Sequence, residues 1–353
     1  MEDNYKLPFI LIVDDSAYNR ECLTEILQDS YKIMQAENGA TALDLIKSFK
    51  AELACVLLDL NMTVLDGYEV MEEMVRNKSI NSLPVIVVSS ETDQESIRRA
   101  YFCGAADFIS RPYDEVIIKK RVQNIINLYA NQKKLAGMVL DQMKENERIN
   151  DMMISILGHT IESRNRESNL HISNVSTITK ILLEELNNFP GRQKIDSKKI
   201  TLISRAAALH DLGKVFIPDQ ILNKPGTLTQ EEFDVMKKHT LIGSQMLESE
   251  VLYKNEPLVK VANNICRWHH ERYDGRGYPD GLVGDNIPVE AQVVSVADVY
   301  DSLTSERVYK KAYSHDQAIK MMCNNECGIF NPVLMKCLQQ VSLELKVRVA
   351  KEK

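Results

Sequence analysis

The sequence predicts an α/β domain on a doubly wound five-stranded parallel sheet, joined by a long helix to an all-α domain. Three observations carry this. Residues 1–128 alternate short apolar runs with amphipathic stretches at the spacing of βαβ units. From Asp114 to about Leu157 the chain has no proline, one glycine and a sustained helical pattern. Beyond residue 150 the pattern is helical almost throughout, and 353 residues are enough for two separate cores.

In the first part the apolar runs Phe9–Val13, Ile33–Gln35, Leu53–Leu58, Pro84–Val88 and Phe108–Ile109 read as strands. Helical patterns lie between them near Tyr18–Gln28, Ala40–Phe49, Tyr68–Arg76 and Gln94–Phe102, with a fifth from Asp114. Chemistry in such a sheet belongs at the carboxyl ends of the strands, where the strand order reverses. Asp14 and Asp15 close the first strand, Asp59 the third and Ser89 the fourth, and Arg111-Pro112 follows the fifth. Converging carboxylates are hard oxygen ligands for Mg²⁺ that leave positions open for phosphate, and one carboxylate can serve as a nucleophile toward phosphorus.

On these residues, positions 7–128 resemble a response-regulator receiver domain. The resemblance implies Asp59 as phosphoacceptor, Asp14 and Asp15 with Asp59 as the Mg²⁺ site, and Ser89, Phe108 and Arg111 as switch residues. It also implies a cognate histidine kinase as partner. Two positions depart from the family pattern: Arg111 stands where a lysine is usual, and Thr63 stands where the turn after the phosphoacceptor usually has proline.

Residues 129–150 are expected to form a helical linker. Val122, Ile125, Tyr129, Ala136, Val139, Met143, Met153 and Leu157 keep an a/d-type spacing, which predicts coiled-coil pairing in a homodimer.

The third region, 151–347, should carry helices over Asn169–Glu185, Ser197–Leu209, Glu231–Leu247, Pro257–His269, Ala291–Leu303 and Ser314–Asn324. Thr229 and Glu232 make a capping-box signal for the helix that bears His239. Five of the seven histidines form one ordered series with carboxylates: Glu167, His171, His210, Asp211, His239, His269, His270 and Asp298. Imidazole and carboxylate together suit first-row metals, and eight such groups exceed what one ion needs. The expectation is a hydrolytic centre of two or three ions. Glu167 and His171, four apart, would share a helical face, and His210 and Asp211 would splay around a helix so that the aspartate bridges. Lys214, Arg307 and Lys310 follow ligand positions and are placed to meet phosphate charge.

His210-Asp211-x-Gly213-Lys214 and His269-His270-Glu271-Arg272-Tyr273-Asp274-Gly275-Arg276-Gly277-Tyr278-Pro279 resemble the signatures of HD-GYP phosphohydrolases. That resemblance implies hydrolysis of cyclic di-GMP to 5′-pGpG and GMP with iron or manganese. His210, Asp211 and Lys214 would be catalytic, the eight groups above would be ligands, and Lys214, Arg307 and Lys310 would bind substrate. The Gly277-Tyr278-Pro279 loop would dock a diguanylate cyclase. The alternatives are a non-catalytic cyclic-dinucleotide sensor, or a phosphodiesterase for another cyclic dinucleotide.

A formal charge of −7 argues against a general nucleic-acid or anionic-membrane binder. The seven cysteines are odd in number and scattered, as expected for reduced thiols. The longest N-terminal apolar run has strand length and no basic flank, so no signal peptide or membrane span is expected, and a cytoplasmic location is.

Overall fold

The computed structural model describes residues 7–91, 93–165, 170–191, 194–306 and 311–351, and the chain divides into two compact units, Met1–Lys144 and Glu145–Lys353. In the first unit β1 (Phe9–Val13), β2 (Lys32–Ala36), β3 (Leu53–Leu58), β4 (Val85–Ser89) and β5 (Asp107–Ser110) pair in parallel in the order β2-β1-β3-β4-β5. Between them lie α1 (Ala17–Leu27), α2 (Gly39–Phe49), α3 (Gly67–Arg76) and α4 (Gln94–Phe102).

Both faces of the sheet are covered, which is why its strands read as continuous apolar runs. Leu11, Val13, Val56, Leu58, Val85 and Val87 pack on one side with Ala42, Ile46, Val70, Met71 and Met74 of α2 and α3. Ile10, Ile12, Cys55, Leu57, Ile86 and Val88 pack on the other with Leu23 and Leu27 of α1. Each fully buried aliphatic side chain contributes about 1.5–3 kcal/mol. Three strands differ from expectation at their ends. β2 extends through Lys32 and Ala36 and β5 through Asp107 and Ser110, whose backbone still pairs, and β4 starts at Val85, because Pro84 has no N–H to give the ladder and offers only its carbonyl, to Val56. Ser89 is consequently the last residue of β4.

The long helix α5 runs from Glu115 to Glu162. Ile118 and Val122 near its start are fully buried, whereas Leu135, Met138, Val139, Leu140, Met143, Met153, Ile156 and Leu157 are each more than half exposed. Among the described residues no helix is long and apolar enough to cross a membrane.

The second unit contains α6 (His171–Leu186), α7 (Ser197–Ala207), α8 (Asp219–Leu222), α9 (Gln230–Ser249), α10 (Pro257–Trp268), α11 (Val289–Thr304), α12 (His315–Cys323), α13 (Pro332–Gln340) and α14 (Ser342–Lys351). Its core joins Val175, Ile178 and Leu182 of α6 to Ile200, Ile203 and Ala206 of α7, Ala262 and Ile265 of α10, and Val293, Val296 and Tyr300 of α11. α8, α13 and α14 are additions to the elements expected from periodicity. The His210-Asp211 pair corrects another expectation: α7 ends at Ala207, and the pair lies in the turn before a 3₁₀ segment over Leu212–Phe216, so a turn splays the two side chains. All seven cysteines are free thiols.

Candidate metal centre and phosphoacceptor pocket

The chain order reverses between β1 and β3, so the carboxyl ends of those strands open a cleft, and Asp14 and Asp59 are the residues that follow them. Asp14, Asp15 and Asp59 bring carboxylate oxygens within 4.8 Å of one another. Asp14 and Asp59 are buried and Asp15 is exposed. Asp14 Oδ1 accepts from the Ser16 backbone N–H at 2.9 Å and from Asn19 Nδ2 at 3.1 Å. Its other oxygen pairs with the Arg111 guanidinium, which also reaches Asp59 Oδ1 at 3.5 Å. Burial pushes the Asp59 carboxyl up to about 6, with Asp14 and Asp15 adding to the rise and Arg111 opposing it. An all-oxygen set with unneutralised negative charge fits Mg²⁺. Ser89 is buried at the end of β4, its hydroxyl accepting from the Glu91 N–H at 3.2 Å, and Phe108 is buried in β5.

The second unit gathers a different set. Among the described residues, Asp211, His239, His269 and His270 form one potential ligand group, and Glu162, His171, His210 and Asp211 form another. Asp211 belongs to both. The turn after α7 carries His210 and Asp211, α9 carries His239, the end of α10 leads into His269 and His270, and α6 starts at His171. Ring centroids lie 5.5 Å apart for His171 and His210, 5.2 Å for His210 and His269, and 5.1 Å for His239 and His270. Asp298 on α11 places Oδ1 3.5 Å from His171 Nε2.

The backbone fixes which ring nitrogen faces inward. Nδ1 of His210, His239 and His269 points at the carbonyls of Ala207, Met236 and Ile265, at 2.9, 2.7 and 2.9 Å. A carbonyl only accepts, so each Nδ1 carries a proton and Nε2 is the nitrogen that faces the cluster. Those three Nε2 atoms and Asp211 Oδ1 are buried without a hydrogen-bond partner among the described residues. Leaving four such atoms together is costly unless a cation joins them, so the donor set fits a metal centre.

Electrostatics agree. Burial holds His239, His269 and His270 below the ordinary histidine range, His269 at about 3, which keeps them in the neutral, ligating form. Burial also opposes a charge on His210, yet Asp211 beside it, with Asp298 and Glu162, lifts it to about 10. Positive charge is favoured where those carboxylates meet. For Asp211 burial is likewise outweighed, by Lys214, His210 and His239, and its carboxyl is held well below the usual range. Lys214 Nζ lies 2.5 Å from Asp211 Oδ2.

Two glycines permit the close approaches the site needs. A Cβ on Gly213 would lie 1.9 Å from the His239 carbonyl oxygen, so only glycine lets the 3₁₀ segment pack against α9. A Cβ on Gly277 would lie 2.3 Å from the Arg272 nitrogen, within the loop that returns toward His270. Glu271 is buried and closes that loop, accepting from the backbone N–H groups of Asp280, Gly281 and Leu282 at 2.8, 3.0 and 3.1 Å. The Tyr278 ring then lies 4.8 Å from His270 and forms a wall of the site.

The structure therefore brings together His171, His210, Asp211, His239, His269, His270, Asp298 and Lys214. Glu167, Arg307 and Lys310 lie outside the described residues, and α6 begins only at His171. Two further residues join the cluster. Asp301 is fully buried, with Oδ2 2.6 Å from His171 Nδ1 and Oδ1 accepting from Asn174 at 2.7 Å. It lies one turn beyond Asp298 on α11, as Asn174 lies one turn beyond His171 on α6, and that paired spacing was a usable signal. Glu162, the last residue of α5, places Oε1 3.4 Å from His171 Nε2.

The profile of the response regulator receiver domain matches residues 10–123, and that of the HD domain matches residues 136–330. Three curated relatives match along almost the whole chain. A probable cyclic di-GMP phosphodiesterase of Vibrio cholerae is 34% identical over 336 residues, covering 92% of this chain and 76% of the relative. The cyclic di-GMP phosphodiesterase response regulator RpfG of Xanthomonas campestris is 31% identical, with 96% and 88% covered. A cyclic di-GMP phosphodiesterase of Thermotoga maritima is 30% identical, with 98% and 93% covered.

Proposed function

The chain belongs to the response regulators that join a receiver domain to an HD phosphodiesterase domain, and from that premise we propose that it hydrolyses cyclic di-GMP to 5′-pGpG and GMP. It is a metal-dependent phosphodiesterase. The observation that carries this is the shared position of Asp211, whose carboxylate belongs to both ligand groups while its Oδ2 meets Lys214.

We assign His171, His210, Asp211, His239, His269, His270 and Asp298 as ligands for two or three iron or manganese ions, with Glu167 as the further ligand expected from the sequence. When bound, such ions polarise the diester and lower the pKa of the attacking water from 15.7 toward roughly 7. The chain's own groups do the rest. Carbonyls on each Nδ1 keep three imidazoles turned inward, and Asp301 does the same for His171. Lys214, beside Asp211, supplies a fixed cation for the phosphate charge that grows in the transition state. Arg307 and Lys310 are assigned to the substrate's phosphates. Tyr278, held by the Glu271-bound loop, limits water access beside His270.

In the receiver, Asp59 accepts a phosphoryl group from a histidine kinase, with Mg²⁺ on Asp14, Asp15 and Asp59, and Ser89, Phe108 and Arg111 respond to it. The exposed apolar residues of α5 support homodimerisation through that helix, and the Gly277-Tyr278-Pro279 loop is the assigned docking point for a diguanylate cyclase. The predicted location is cytoplasmic. Neither a silent sensor nor a phosphodiesterase for another cyclic dinucleotide is favoured, because the relatives that span nearly the whole chain are named for cyclic di-GMP.

The test is chromatography of cyclic di-GMP digests with protein purified without oxygen and analysed for metal. Conversion to 5′-pGpG and then GMP is expected. Untouched substrate in the presence of a full metal complement would reject the assignment.

A further inference from the structure

We propose that Glu162 is itself a metal ligand, placing its carboxylate on the ion that His171 and Asp298 face. The proposal rests on the reading of the histidine–carboxylate cluster as a metal centre, and it adds a residue that the sequence motifs do not mark.

The first support is burial. Glu162 is 3% exposed. The metal centre's cations would offset the cost of desolvating a carboxylate that deep, which is several kcal/mol for one left alone.

The second is convergence. His171 Nδ1 meets Asp301 Oδ2 at 2.6 Å, and Asp301 Oδ1 already accepts from Asn174 and from the Ser305 hydroxyl at 3.2 Å. Asp301 thereby holds a ring proton on Nδ1, and Nε2 is directed toward Glu162 Oε1 at 3.4 Å and Asp298 Oδ1 at 3.5 Å. Glu162, His171, His210 and Asp211 each bring a potential ligand atom within 4.8 Å of the others. The two separations from Nε2 are longer than a charge-assisted hydrogen bond of about 2.7–2.9 Å. They approach the spacing of two ligands on one ion, since donor atoms each about 2.1 Å from a metal lie about 3.0–3.4 Å apart.

The third is that the position is built. Arg164, two residues beyond Glu162, donates to the carbonyls of Lys214 (3.3 Å), Val215 and Ile217 (3.2 Å) and pairs with Asp219 at 2.6 Å. Asn223 donates to the Arg164 carbonyl at 2.9 Å. The end of α5 is thus fastened to the segment that follows Asp211, and Glu162 is held at the cluster by contacts that need no ion.

The experiment uses the full-length protein, stripped of metal and titrated with Mn²⁺ under anaerobic conditions. Bound ions are counted by elemental analysis, and affinity is read by competition with a chromophoric chelator. Glu162→Gln, which keeps the size and removes the charge, should lose about one Mn²⁺ per chain or bind its weakest ion about tenfold or more less tightly. Glu162→Asp, a variant that keeps the charge on a shorter arm, should fold and show an intermediate affinity. The metal-free forms should melt at the temperature of metal-free wild type. Wild-type Mn²⁺ number and affinity in both variants, with any loss of stability equal in the presence and absence of Mn²⁺, would overturn the proposal and leave Glu162 a structural acceptor. A wild type that takes up no Mn²⁺ would instead overturn the reading of the whole centre.

Discussion

The chain builds two acidic pockets, and they differ in what surrounds the carboxylates. In the receiver, Asp14, Asp15 and Asp59 meet a guanidinium at the rim of a sheet, and Asp15 is exposed to solvent. In the helical unit, Asp211 is buried among imidazoles whose inward nitrogens lack partners among the described residues. The first is an oxygen-only site whose carboxylates one guanidinium partly neutralises, a donor set suited to Mg²⁺. The second is a mixed nitrogen–oxygen site in which Lys214 meets only one oxygen of Asp211, suited to first-row ions.

That contrast gives an ordered set of expectations. His210→Ala should have the largest effect, a fall in cyclic di-GMP turnover of about a thousandfold or more together with a loss of bound metal, while phosphorylation at Asp59 proceeds normally. Normal turnover in this variant would remove the helical pocket from the chemistry. Lys214→Ala should lower kcat by about a hundredfold at unchanged metal content, because it takes away a cation and leaves the imidazoles in place. If metal is lost as well, Lys214 acts on Asp211 and not on phosphate. Glu271→Ala strands three backbone N–H groups and should cost about 2–4 kcal/mol in a denaturant melt, with activity falling as the Tyr278 loop loosens.

The receiver effects should be smaller. Replacing the guanidinium on Asp14 and Asp59 with a point charge in Arg111→Lys should tighten Mg²⁺ binding about threefold to tenfold, measured by competition. Equal affinity would mean that Arg111 does not compete with the ion. Phosphorylation of Asp59 should change phosphodiesterase rate by about tenfold or less, a coupling of about 1.4 kcal/mol, and Asp59→Ala should abolish the difference. A phosphorylated wild type with the same rate would make the receiver a module for assembly.

Most of this was legible from local pattern. The sheet strands announce themselves because both faces are buried, and the histidine–carboxylate series is visible because five of the seven histidines fall in it. What escaped depends on contacts that no local period encodes. Glu162 lies nine residues before His171, on the other side of the break between α5 and α6, so helical spacing could not connect them. The His210-Asp211 pair was expected on a helix because Ser197–Leu209 is uniformly helical in composition, yet α7 stops at Ala207 and a turn leads into the 3₁₀ segment in which Gly213 approaches the His239 carbonyl. α13 was not among the expected helices, although its start signal, Asn331 capping and Pro332 at the first position, stands in the sequence.

The central claim is that one carboxylate, Asp211, serves two metal positions. Counting Mn²⁺ per chain in wild type, Asp211→Ala and His239→Ala tests it most directly, with circular dichroism confirming that each variant remains helical. Asp211→Ala should release more than one ion, because it belongs to both ligand groups, whereas His239→Ala, which belongs to one, should release no more than one. If Asp211→Ala loses no more metal than His239→Ala, the two groups do not share a bridge and the account of the centre is wrong.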